Sequence, residues 1–221
     1  MDRNLNELLK WSIENQETGG QNGETGQNEQ AARAPSSNLN PEAIAALFGG
    51  GPSDADLMKA SMEAITSTDP EMTLDNKLVA FDNFEQLIEN LDNANNMANL
   101  ALWSPLLSCL THDEHDMRRM AAWCIGTAVQ NNEPSQERLL AMGDAGIPTL
   151  VSIATKDGEK EAVRRKALYA LSSAVRNYQP AMDLFTDELA KKGLHSSGKV
   201  EAVNMDEIDK VMDGLRAKIT T

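Results

Sequence analysis

Three stretches, KLVAFDNFEQLIEN (residues 77–90), RRMAAWCIGTAVQN (118–131) and RRKALYALSSAVRN (164–177), are one pattern repeated at offsets of 41 and 46 residues. In this alignment Ala80, Ala121 and Ala167 coincide, as do Phe84, Ile125 and Leu171. Leu87, Ala128 and Ala174 follow, then Ile88, Val129 and Val175, and each window ends in Asn. Small or apolar residues at i, i+4, i+7 and i+8 describe a helix buried along one stripe. The last two windows also share a leading Arg-Arg and a trailing proline, Pro134 and Pro180.

Shorter helices with start signals lie between these long ones. Ser104-Pro105 opens Leu106–Leu110, Pro134-Ser135 opens a segment to Met142, and Ile147-Pro148 opens Thr149–Ala154. A period of about 40–47 residues holding two or three helices describes an armadillo or HEAT solenoid, whose units each have an apolar face that only stacking can bury. The expected fold is therefore all-α: an armadillo-like helical-repeat solenoid over residues 74–203, with a flexible N-terminal extension.

Outward from the repeats, Ser53 or Asp54 caps a helix carrying Leu57, Met58, Met62 and Ile65. Asn40-Pro41-Glu42 opens another that ends at Gly49-Gly50-Gly51, so residues 41–66 read as N-terminal capping helices. Residues 1–40 read as a flexible segment. It holds one short amphipathic helix, 5–15, with Leu5, Leu8, Leu9, Trp11 and Ile13 apolar, then a linker, 16–40, with four glycines. At about 5–6 Å × √n that linker spans about 25–30 Å end to end. At the other end 191–203 reads as a loop, and Asn204 caps a final amphipathic helix within 204–221.

Of 221 residues, 34 are acidic and 20 are Lys or Arg, giving a net charge of −14. Residues 1–76 hold 13 acids and 4 bases, residues 77–177 hold 13 and 10, and residues 178–221 hold 8 and 6. The acidity thus belongs mainly to the N-terminal part. It argues against a nucleic-acid partner, which needs Lys and Arg to displace counterions, and against an anionic membrane surface. Two cysteines, no glycosylation sequon and no signal-like start point to a cytoplasmic protein without a disulfide framework.

LLKWSIEN (8–15), LFGGG (47–51), LVAFDNFEQLIENLDNANN (78–96) and GTAVQNN (126–132) occur in this order. Together they resemble the fungal armadillo-type nucleotide exchange factors of heat-shock protein 70, over residues 5–15 and about 41–180. The resemblance implies a monomeric, non-enzymatic cochaperone without cofactor or metal. Its armadillo body would grip the chaperone's nucleotide-binding domain and favour ADP release. Its N-terminal segment, through Leu8, Leu9, Trp11 and Ile13, would engage the substrate-binding domain during client release. The alternative is an armadillo scaffold or peptide-binding adaptor without exchange activity. The Trp and Asn ladder of nuclear-import armadillo proteins is missing, its positions being filled by Asp82, Trp123 and Tyr169 and by Gln86, Thr127 and Ser173.

In an armadillo stack the third helix of each repeat lines the groove, and residues beside the buried stripe face the partner. Those are Asp82, Gln86 and Glu89 in the first window, Trp123, Thr127 and Gln130 in the second, and Tyr169, Ser173 and Arg176 in the third. The alternative for Trp123 is a side chain partly buried between helices. The run 91–96 is a turn in this reading, either a capped connector or a contact loop; the resemblance favours contact through Asp92, Asn93, Ala94 and Asn95. A zinc set from Cys109, Cys124, His112 and His115 is disfavoured, because both cysteines fall where small hydrophobes belong. No nucleotide-binding or hydrolase motif is present.

Overall fold

The computed structural model describes residues 51–196 and 198–219. Among them are ten α-helices and no strand. The helices are α1 (Asp54–Thr66), α2 (Leu74–Ile88), α3 (Leu91–Asn96), α4 (Trp103–Ser108) and α5 (His115–Val129). The chain continues through α6 (Glu133–Ala141), α7 (Ile147–Thr155), α8 (Glu161–Val175), α9 (Gln179–Lys191) and α10 (Met205–Ile219). The expected helices at 5–15 and 41–48 lie outside the described residues.

The three repeated windows are the long helices α2, α5 and α8, each 15 residues long. Their first residues, 74, 115 and 161, stand at the same offsets as the sequence alignment, and so do their last. The stripe is buried as its period demands: Phe84, Ile125 and Leu171 are fully enclosed, as are Val129 and Val175. α8 packs on α5 and α5 on α2, so that each unit covers its neighbour's apolar face. This is an armadillo-like helical solenoid.

The helix starts have local causes. The Ser53 hydroxyl accepts from the Asp56 N–H, and the Asp56 carboxylate accepts from the Ser53 N–H, a closed capping box for α1. Thr73 caps α2 in the same manner through the Asn76 N–H. Pro134, Pro148 and Pro180 sit in the first turns of α6, α7 and α9, where a missing N–H costs nothing. The asparagine that closes each window does one of two jobs. Asn131 and Asn177 take left-handed backbone (φ 52° and 59°) just after α5 and α8, a conformation asparagine tolerates better than most residues. Asn90 is extended instead, and its side chain caps α3.

Polar joints lock the repeats in register. Arg118, in the first turn of α5, makes a bidentate pair with Glu159 (2.8 and 2.9 Å) and also donates to the carbonyls of His112 and Asp113. Burial raises the Glu159 carboxyl, but the hydrogen bonds from Arg118 and from the Lys160 N–H outweigh this and hold it below the usual range. Arg164 holds the equivalent place in α8 and donates to the carbonyls of Ala154 and Lys218, the second at the end of α10. The final helix therefore takes the position that a following repeat would supply. The described residues between 194 and 203 include no helix or strand, yet the stretch 200–202 is pinned. Gln179 donates to the Val200 carbonyl and accepts from the Ala202 N–H, while Val200 and Ala202 are buried.

Candidate partner-binding groove

A cleft of about 440 Å³ opens between α2, α3, α5 and α8. Its floor includes Ile88, Ala94 and Ala128, and its walls carry Trp123, Thr127 and Tyr169. Helical spacing explains the arrangement, because Trp123 and Thr127 lie one turn apart on one face of α5 and Gln130 follows as its C-cap. Gly126 sits between them and has a packing reason. A Cβ there would lie 2.4 Å from Tyr169 Cε1, so the ring rests against bare α5 backbone. The Tyr169 hydroxyl then reaches across the repeat boundary and donates to Gln130 Oε1 at 2.9 Å.

Two further side chains complete the face. Lys166, one turn before Tyr169, places its ammonium 3.9 Å from the Trp123 ring centroid and 5.5 Å from that of Tyr169. Burial and then the charge of Arg119 lower its pKa, against a counteracting pull from Glu85. Glu85 is only 7% exposed and accepts from the Thr127 hydroxyl at 2.7 Å. Neither residue is among the sequence-derived contacts. Glu85 carried a signal, since it falls inside the row formed by Phe81, Phe84 and Ile88, where a carboxylate is out of place unless it has a partner or a task. Lys166 carried none beyond its spacing from Tyr169.

The sequence-derived residues divide by what holds them. Asp82, Gln86, Glu89, Asn95 and Gln130 are exposed, and Trp123, Thr127 and Tyr169 are half-buried at the cleft. Five expectations need correction. Residues 91–96 form the short helix α3, because Asn90 receives the N–H groups of Asp92 and Asn93 and starts it. Ala94 is therefore inward and buried. Asn93 is a brace, donating to the Leu87 carbonyl (2.9 Å) and to Asp54 (2.8 Å). Ser173 is buried as well, with its carbonyl taken by Gln136 at 3.0 Å. Arg176 is drawn away to α10, where it pairs with Asp209 and meets Met205 Sδ at 3.1 Å.

Among the described residues no group of His, Cys, Asp and Glu has the geometry of a metal site. His112 Nδ1 accepts from the Glu114 N–H, which closes the turn before α5. Burial pushes both cysteine thiols up, Cys124 well above its ordinary value. No helix among the described residues is long and apolar enough to cross a membrane.

A family profile described as nucleotide exchange factor Fes1 matches residues 5–97, and one described as the SIL1/FES1/HPBP1 C-terminal domain matches 93–194. The Hsp70 nucleotide exchange factor FES1 of Gibberella zeae is 64% identical, over 99% of this chain and 98% of its own length. This chain belongs to the Fes1 family. A Fes1 relative from Neurospora crassa is 54% identical with the same two shares of coverage. One from Eremothecium gossypii is 48% identical over 83% of this chain but only 59% of its own, longer sequence. The Fes1 likeness thus runs past Pro180, where the sequence motifs alone fade. Among solved structures, an engineered protein matches with a TM-score of 0.51 at 19% identity, over 80% of this chain and 70% of its own. That likeness bears on the fold alone.

Proposed function

We propose that this chain is a cytoplasmic nucleotide exchange factor of heat-shock protein 70. Its α2–α5–α8 face binds the chaperone's nucleotide-binding domain, and its N-terminal segment engages the substrate-binding domain. The observation that carries this reading is the match to relatives described as Hsp70 nucleotide exchange factors over nearly the whole of both chains. The aromatic cleft supports it, since Trp and Tyr in a semi-enclosed setting are usual anchors of a protein interface.

The mechanism is thermodynamic linkage and needs no nucleophile. A groove that binds the open form of the nucleotide-binding domain better than the nucleotide-closed form lowers nucleotide affinity. Nucleotide then weakens groove binding by the same factor, a coupling of about 1–3 kcal/mol. ADP leaves, ATP rebinds, and client polypeptide is released. The 16–40 linker holds residues 8–13 near a second site at high effective concentration, so that segment adds to client release without adding to the grip.

Stopped-flow release of fluorescent ADP from a cytosolic heat-shock protein 70 tests both parts. Micromolar protein accelerates release, and a chain lacking residues 1–40 accelerates it nearly as well while releasing client more slowly. No acceleration by the full chain overturns the exchange reading. Loss of ADP release on truncation overturns the separation between grip and arm.

A further inference from the structure

Glu85 and Glu89 line the cleft and no Lys or Arg does, although Lys166 lies over the Trp123 and Tyr169 rings and within electrostatic reach of Glu85. Glu85 spends one oxygen on the Thr127 hydroxyl. Its other oxygen has no hydrogen-bond partner among the described residues and is not sealed from solvent, and the residue lines the cleft. Glu89 is exposed at the rim, and its carboxylate has no hydrogen-bond or ion-pair partner among the described residues. Leu91, 55% exposed, stands beside it as an uncovered apolar wall.

A nearly buried carboxylate facing an empty space needs a donor to offset its lost hydration. The cleft is lined by apolar Ile88 and Leu91, by Trp123 and Tyr169, and by Glu85 and Glu89. A long cationic side chain fits this lining: its methylene stem covers the apolar wall and its head reaches the carboxylates. A planar guanidinium satisfies paired acceptors better than an ammonium, whose charge is compact and strongly hydrated. The chain already shows the chemistry next door, where Lys166 lies over the same two rings.

The geometry points to a specific occupant: the cleft receives a cationic side chain, arginine in preference to lysine, presented by the protein seated on the α2–α5–α8 face. This rests on the binding reading above and adds the chemistry that the partner must bring. The rest of the rim agrees with it, because Asp82 and Asp92 add negative charge on the same α2–α3 side, and both lack ion-pair partners among the described residues.

The test is calorimetric titration of the heat-shock protein 70 nucleotide-binding domain with four full-length chains: wild type, Glu89→Gln, Glu85→Gln/Glu89→Gln and Trp123→Ala. At roughly 50 mM salt the double variant binds about tenfold more weakly than wild type, and Glu89→Gln alone shows part of that loss. The gap narrows at roughly 500 mM, where charges are screened. Trp123→Ala weakens binding at both salts. If Trp123→Ala weakens binding while the double and single variants equal wild type at low salt, cationic recognition is overturned and the groove reading stands. If no variant weakens binding, the groove reading falls with it. Thermal unfolding of each variant separates these results from misfolding, and Glu89→Gln, at an exposed site, keeps the test valid should the double variant unfold.

Discussion

The two ends of the groove face are built from equivalent helices yet left in opposite states. At the α2–α3 end, Asp82, Gln86, Glu89 and Leu91 stand exposed, and the carboxylates there lack ion-pair partners among the described residues. At the α8 end, Ser173 is buried, Tyr169 is bonded to Gln130, and Arg176 is paired with Asp209 of the last helix. Equivalence of position along a repeat is therefore not equivalence of availability. A residue at the last repeat is answered by whatever caps the stack, whereas one at the earlier repeats is answered only by a partner. The free end and the centre should carry binding, and the closed end should carry stability.

The largest expected effect tests the centre. Trp123→Ala removes the indole from the cleft and deprives Lys166 of its ring, which should cost about 2 kcal/mol, or about thirtyfold in affinity for the nucleotide-binding domain. Calorimetry reads it, and a loss below twofold would break the division. A smaller effect falls on the closed end. Arg164→Ala together with Arg176→Ala removes two polar ties to α10, lowering unfolding stability by roughly 1–2 kcal/mol in urea titration while leaving affinity within about twofold. A large affinity loss with unchanged stability would reverse the assignment of the two ends.

The smallest effect sharpens the joint between them. Glu159 is held below its ordinary pKa in the folded chain, chiefly by hydrogen bonds from Arg118 that overcome the penalty of burial. A depressed folded value contributes stability that is full above the unfolded carboxylate range and is lost as pH falls through the folded value. Stability should therefore fall by roughly 1 kcal/mol more in wild type than in Glu159→Gln as pH drops below about 4.5. Parallel curves for the two chains would show that the pair adds nothing to the joint.

The long helices were legible because their periodicity is dictated by burial alone, and Phe84, Ile125 and Leu171 could not occupy any other face. The groove was legible only in part. Trp123, Thr127 and Tyr169 followed from the stripe, since on a helix one buried row fixes its neighbours. Ser173 and Arg176 did not, because their surroundings come from Gln136 on α6 and Asp209 on α10, contacts between elements that no single helix encodes. Residues 91–96 read as a turn because Asn and Asp are frequent there. The same residue types also cap helices, and Asn90 does so. Glu85 was visible as an anomaly in an apolar row but could not be given a task before Thr127 was seen beside it.

The three long helices share one length and one phase, although the chain takes 41 residues to travel from the first to the second and 46 from the second to the third. The extra residues lie in the short helices between them, since α6 and α7 have nine residues each where α3 and α4 have six, and the three long helices keep their length and phase regardless. The short helices between the long ones thus differ in length without changing the length or phase of the long ones, while a single methyl group at Gly126 would press on the Tyr169 ring at once.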